Sequence, residues 1–285
     1  VSAGFARARR FVDSLGYGNV PIPLIAAGLI ASTSLWFDRP ISWPLVGFGA
    51  AGAFLLYQFD RIWCPSPEDA LNRPQHLVWG RVHRVSQRWV GIAAVGIGVA
   101  GALRVAPQTS VAGVALGAAG LFYLWPVRPG RRRLKGHWLA KPLIVGGAWT
   151  LGGVGLPAVE MGIPPGGDLA GLFVYRFLFL LPNILLADWP DRAGDRASGL
   201  RPVAARLPES ALRRWAQGFA AGAVACGIVL ANRRGWPAGS AVDLVGPAIF
   251  LAVLSRPLPT SRWFYGVVLD LIVAWPLVAV AWRNI

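Results

Sequence analysis

Residues 169–197 read LAGLFVYRFLFLLPNILLADWPDRAGDRA. The first nineteen of them, up to Ala187, carry a single charge, Arg176, and are long enough to cross a bilayer core, which takes roughly 20 apolar residues as a helix. The next nine carry five charges, Asp188, Asp191, Arg192, Asp195 and Arg196. An apolar run of membrane length that ends abruptly in clustered charge reads as a spanning helix leaving the hydrocarbon.

The same pattern recurs along the 285-residue chain. It is 55% hydrophobic and only 14% charged, against about a quarter charged in ordinary soluble domains. Nine apolar spans are expected, near 20–37, 43–59, 89–106, 109–127, 138–159, 169–187, 213–231, 241–254 and 263–281. The eighth is the shortest, with Pro237 and Pro257 as breakers on its flanks. Many of the fourteen tryptophans, such as Trp43, Trp89, Trp125, Trp138 and Trp263, stand at span ends, as an aromatic belt requires.

The net charge of +15 follows the same topology. Arginines gather in the loops 60–88, 128–137 and 188–212, whereas the loop 160–168 has no basic residue. Lys and Arg resist translocation, so the basic loops are expected on the cytoplasmic side, and nucleic acid is not expected as a partner. Val1 to Asp13 is basic and lacks a small-residue cleavage site, which reads as a cytoplasmic tail. Cys64 and Cys226 have no CxxC partners, so neither a disulfide frame nor a zinc site is indicated. The expectation is one all-α domain over residues 1–285, a polytopic membrane helix bundle in the bacterial inner (cytoplasmic) membrane with its acidic loops facing the cytoplasm.

The chemistry sits in those loops. Asp188, Asp191 and Asp195 stand at i, i+3 and i+7, one face of a helix. Carboxylates so crowded repel each other unless a cation lies between them. Oxygen donors at this density suit Mg²⁺, which binds a few carboxylates while bridging substrate phosphates. Arg192 and Arg196 beside them add guanidinium groups suited to phosphate oxygens. A solvated, salt-bridged loop is the plain alternative. A second acidic stretch, Asp60-Arg61 and then Glu68-Asp69-Ala-Leu-Asn72-Arg73-Pro74, lies in a loop expected on the same membrane face.

The basic run from Arg128 to Lys141 is read as positive-inside anchoring at Arg131, Arg132 and Arg133. Lys135 and Lys141 differ, because Lys141 falls in the first turn of a span, where a charge needs a partner. A diphosphate or an aspartate would supply one. Arg176 and Asp270 lie within spans as well, and a structural pair, Arg176 with Asp270 or Lys141 with Asp270, is weighed against a functional role for each. His76, His83 and His137 show no ligand spacing and are read as interfacial.

Taken together, these motifs resemble the UbiA superfamily of intramembrane prenyltransferases. The likeness is most specific at Asp188 to Leu207, DWPDRAGDRASGLRPVAARL, which is similar to the family's second aspartate motif and the Gly-x-x-x-x-Pro-x-x-x-Leu that follows it. Tyr123 to Trp149, with Lys135 and Lys141-Pro, resembles the connection between the fourth and fifth helices. Asp69-x-x-Asn72-x-Pro74 resembles the tail of the first aspartate motif. That first motif departs from the family's Asn-Asp-x-x-Asp-x-x-x-Asp, since its middle aspartate is missing here; Asp60 and Asp69 match its ends and Glu68 is the substitute ligand.

The resemblance implies about nine transmembrane helices around a central cavity open to the cytoplasmic side and to lipid. It implies Mg²⁺ held by Asp60, Glu68, Asp69, Asp188, Asp191 and Asp195, and a prenyl diphosphate donor bound by Lys135, Lys141, Arg192, Arg196 and Asn72. The prenyl group would pass to a hydrophobic acceptor, aromatic or lipid-like. Tyr57, Tyr123 and Tyr175 are candidates for the wall around the allylic cation. A terpene cyclase and a non-catalytic prenyl diphosphate carrier are the alternatives. CDP-alcohol phosphotransferases are disfavoured, because Arg192 follows Asp191 where their motif needs Gly.

Cysteines introduced at Ser86 and Ser198 are expected to be labelled from the same face of the membrane by an impermeant thiol reagent. Labelling from opposite faces would overturn the nine-span topology.

Overall fold

The computed structural model describes residues 14–63, 71–125, 138, 140–197 and 202–283. Among these residues the only regular structure is helical. In chain order the helices are α1 Pro21–Trp36, α2 Trp43–Gln58, α3 Pro74–Val82, α4 Arg84–Ala102, α5 Pro107–Leu124, α6 Ala140–Thr150, α7 Leu156–Glu160, α8 Gly167–Leu186, α9 Arg192–Ala197, α10 Val203–Arg206, α11 Glu209–Arg233, α12 Ser240–Leu254, α13 Leu269–Val273 and α14 Pro276–Arg283. Three π-helical turns, Phe59–Trp63, Leu151–Gly155 and Phe264–Val268, extend α2, join α6 to α7 and lead into α13.

The nine expected apolar stretches all fall on helix within the described residues. Five helical runs are long and apolar enough to cross a membrane: Arg84–Ala102, Lys141–Glu160, Gly167–Ala197, Glu209–Arg233 and Phe264–Arg283. Pro21–Trp36 and Ser240–Leu254 are shorter apolar helices. The chain is thus a multi-pass membrane protein. The loops 60–88 and 188–212 are not plain loops, since α3 occupies part of the first and α9 and α10 part of the second.

Local chemistry explains several boundaries. Proline opens α1, α2, α3 and α5, where its missing N–H is no loss and its fixed φ suits the first turn. Gly239 starts α12 at φ 83°, a left-handed conformation that side chains resist. A Cβ there would also meet the Ala279 carbonyl oxygen at 3.2 Å.

The packing is that of a bundle wrapped around α1. That helix is buried over most of its length and packs on α2 and α14, while α8 packs on α11 and α6, and α2 on α4. The outer surfaces of α4 and α5 are the reverse of a soluble protein's: Trp89, Ile92, Val99, Val111 and Phe122 are exposed. Such a continuous apolar exterior fits hydrocarbon.

The core is pinned by a buried ion pair. Arg176 of α8 and Asp243 of α12 meet at 2.8 Å with side chains 0% and 1% exposed. Trp36 Nε1 donates to Asp243 Oδ2 at 2.7 Å and Tyr175 Oη donates to the same oxygen at 3.2 Å. Arg176 Nη2 donates to Ser32 Oγ at 2.6 Å. The cluster ties α1, α8 and α12 together. It also corrects both structural pairings considered from sequence: Arg176 pairs with Asp243, Lys141 with Asp188, and Asp270 is hydrogen-bonded to Asn183. No local motif marks Asp243 in the sequence.

Removing one member of such a pair leaves its partner charged in a dry interior, at a cost of about 3–5 kcal/mol. Arg176→Met and Asp243→Leu, each alone, are expected to lower the thermal midpoint of the detergent-solubilised protein sharply. The double variant is expected to regain most of the loss. Additive losses in the double variant would show that the two charges do not depend on each other.

Candidate active site

A cavity of about 440 Å³ opens among α1, α2, α5, α6, α8 and α13. Its lining is polarised along the helix axes. On α2 the charged residues Asp60 and Arg61 follow Tyr57, Gly52 and Gly49; on α8 Asp188 follows Ile184 and Leu180; on α6, which runs the opposite way, Lys141 precedes Val145, Trp149 and Gly152. All three helices therefore bring their charge to one end of the chamber and leave the rest apolar. From Lys141 to Gly152 the lining runs roughly 16 Å, at about 1.5 Å per residue.

At the charged end, aspartates and cations interlock. Asp188 is bound to Lys141 Nζ. Asp191 accepts from Arg73 Nη2 at 2.7 Å on one oxygen and from Arg262 Nη1 at 2.8 Å on the other. Asp195 Oδ1 accepts from Asn72 Nδ2 at 2.8 Å. Asp191 and Asp195 are buried, so they need these partners. Lys141 stands in the first turn of α6, where the positive end of the helix dipole favours anions.

The spacing read from sequence thus brings Asp188, Asp191 and Asp195 to one cavity, together with Asp60, Asn72 and Lys141. It does not bring Arg192 and Arg196 there. Arg192 Nη1 donates to the Trp189 carbonyl at 2.7 Å and its guanidinium lies 3.9 Å over the Trp189 ring. Arg196 donates through Nε and Nη2 to the Ala205 carbonyl, at 2.9 and 2.6 Å. Each follows an inward aspartate by one residue, a rotation of about 100° that turns it away. The guanidinium groups that line the cavity are those of Arg61 and Arg73, and Arg262 reaches its edge through Asp191. Arg262 lies 71 residues beyond Asp191, so no local motif pointed to it. Glu68, Asp69 and Lys135 lie outside the described residues.

Tyr57, Tyr123 and Trp149 line the cavity, with Trp149 Nε1 donating to Tyr57 Oη at 3.3 Å. Tyr175 does not join them: it packs on Trp36 and Arg176 in the buried cluster. His76, expected at the interface, is buried, lines the cavity, and its Nε2 lies 3.0 Å from the Tyr17 carbonyl.

Among the described residues no three His, Cys, Asp or Glu side chains are grouped so as to hold a metal by themselves. The donor chemistry nonetheless fits Mg²⁺, which needs only one or two carboxylates and takes its other oxygens from phosphate and water. The carboxylates of Asp188, Asp191 and Asp195 all reach the cavity.

These features define a polytopic membrane protein with an ionic mouth over an apolar chamber, suited to a ligand with an anionic head and a hydrocarbon tail. The model of the UbiA prenyltransferase family matches residues 20–265, and the chain belongs to that family. It is therefore a prenyltransferase, acting on a prenyl diphosphate. No curated protein and no solved structure matches the chain.

Gly194 packs against the Asn72 side chain so closely that a Cβ would run into its amide oxygen. Gly194→Ala is expected to displace Asn72 from Asp195 and weaken prenyl diphosphate binding by about tenfold, in line with a lost hydrogen bond to a charged group. Titration of the variant with the donor checks this; unchanged affinity would separate Asn72 from the binding site.

Proposed function

We propose that the chain transfers an isoprenyl group, in a Mg²⁺-dependent reaction within the membrane, from a prenyl diphosphate to an aromatic or lipid-like acceptor. In this reading the whole chain is one domain whose nine spans enclose the cavity, with the acidic segments facing the cytoplasm. The observation that carries it is the interlocked set of Asp188, Asp191, Lys141, Arg73 and Arg262 at the mouth of an otherwise apolar chamber. Diphosphate chemistry belongs at such a mouth and a hydrocarbon chain behind it.

Asp188, Asp191 and Asp195, with Asp60 across the cavity, would hold the metal; Glu68 and Asp69, outside the described residues, are proposed to complete the set. Bound Mg²⁺ supplies charge neutralisation for the leaving diphosphate. The chain's cations do complementary work. Lys141 would leave Asp188, and Arg73 and Arg262 would turn from Asp191, to bind diphosphate oxygens, which would free those carboxylates to hold Mg²⁺. The resting ion pairs keep both sets in place without substrate. Lys135 is proposed as a further diphosphate ligand.

Behind the mouth, Leu180, Val145 and Leu116 exclude water from the ionising carbon. The π faces of Tyr57, Tyr123 and Trp149 stabilise the positive charge that develops there. Fixed donors and cations aimed at the departing oxygens strengthen as charge builds on them, which favours the transition state over bound substrate.

Purified protein with Mg²⁺ and allylic diphosphates is expected to release pyrophosphate, and EDTA to stop it. Asp191→Ala is expected to lower turnover by at least a hundredfold while the protein elutes as wild type in size-exclusion chromatography. Wild-type turnover in the variant would return the aspartates to a purely structural role.

A further inference from the structure

Asp270 is a carboxylate of the same cavity that diphosphate binding does not use. It lies in α13, two residues after the π-helical turn Phe264–Val268, and lines the chamber. Asn183 Nδ2 donates to Asp270 Oδ1 at 3.0 Å. Asn183 stands five residues before Asp188 on α8, roughly 7.5 Å deeper along the helix. Asp270 thus sits behind the ionic mouth, toward the apolar part of the chamber.

The pair is half satisfied. Among the described residues no ion pair reaches Asp270, and the buried Asn183 Oδ1 accepts no hydrogen bond. Exchanging the amide's oxygen and nitrogen would set two acceptors face to face, so the amide orientation is fixed. Asp243 shows how this chain closes off a carboxylate that serves only structure: it is 1% exposed and held by Arg176, Trp36 and Tyr175. Asp270 has one donor and an open cavity in front of it. An ionisable group left so inside a bundle is costly unless a ligand completes it.

We propose that Asp270, oriented by Asn183, accepts a hydrogen bond from a hydroxyl of the acceptor and takes its proton during transfer. This rests on the prenyl-transfer reading and narrows its acceptor to a neutral, hydroxyl-bearing hydrophobic molecule such as a phenol. Arg61 and Arg73, which line the same cavity, act on Asp270 only at longer range, so an acceptor that placed its own carboxylate at this point would face a second anion with no cation in contact with it. In the step, the bond between the allylic carbon and the diphosphate oxygen breaks and its electron pair leaves with diphosphate. The acceptor oxygen gives a lone pair to that carbon, and its proton passes to the Asp270 carboxylate. The products are the prenyl ether, diphosphate and a protonated Asp270.

The test uses the full chain in lipid nanodiscs with 2-naphthol and its methyl ether, 2-methoxynaphthalene, as probes. Wild type is expected to bind the naphthol at least tenfold tighter than the ether, and Asp270→Leu to reduce that preference to within twofold. Asp270→Asn is expected to cut transfer from farnesyl diphosphate to 2-naphthol by at least a hundredfold, the scale of a lost general base, with farnesyl diphosphate affinity within twofold of wild type. Equal binding of the two probes by wild type, which needs no variant to fold, would overturn the proposal. So would wild-type transfer in Asp270→Asn. A wild-type protein that prefers the naphthol but binds no prenyl diphosphate would support the Asp270 site and overturn the prenyl-transfer reading, so the two failures are told apart.

Discussion

A charge inside this bundle has no water to fall back on, so its compensation must be built from the helices that surround it. Where Arg176 meets Asp243, the compensation is closed off from solvent: both are buried, and hydroxyl, indole and phenol groups from α1 and α8 bind them, leaving Arg176 Nε as the unpartnered donor of the cluster. Such a pair adds little net stability over well-packed apolar side chains of the same volume. What it adds is position. Only one register of α8 against α12 and α1 satisfies it, and α8 carries Asn183 and Asp188 toward the cavity.

The same requirement at the mouth is met differently. Asp188 and Asp191 hold Lys141, Arg73 and Arg262 in pairs whose cationic side chains are 33–55% exposed. Those pairs reach solvent and can exchange partners. In the proposed reading, diphosphate oxygens would draw these cations and free Asp188 and Asp191 for Mg²⁺, so that no charge is left unpaired. Burial thus divides the ionic residues into a set that fixes the helices and a set that can be handed to a ligand, while Asp270, with one neutral donor, falls in neither.

How much of this was legible in the sequence follows the range of each interaction. The close spacing of Asp188, Asp191 and Asp195 is local, and all three line one cavity, although a turn, a 3₁₀ turn and α9 carry them in place of one continuous helix face; Lys141 announced itself by its place in the first turn of an apolar span. Arg262 and Asp243 are defined by helices 71 and 67 residues away, and no periodicity encodes that. Arg192 and Arg196 misled for a related reason: adjacency in sequence looks like adjacency in space, but a one-residue step on a helix points the side chain to another face. His76 reads as interfacial in sequence because nothing local marks it as covered by Tyr17.

The π-helical turns were equally illegible, and they bear on how the chamber exists at all. A regular helix offers its neighbours one stripe, and the stripes of α2 and α6 are already committed to packing on α4 and α8. A π turn inserts one residue and rotates everything after it by about 100° relative to the packed stripe. After Gln58 such a turn aims Asp60 and Arg61 into the cavity; after Thr150 one presents Gly152 and Gly153 to it; and Asp270 lies two residues beyond the third. Within a membrane, irregular backbone is tolerated only where protein or a cavity surrounds it. In this bundle two of the three π turns line the cavity and the third lies just before Asp270, so the helices keep their packing while a few residues are released from it to face the chamber.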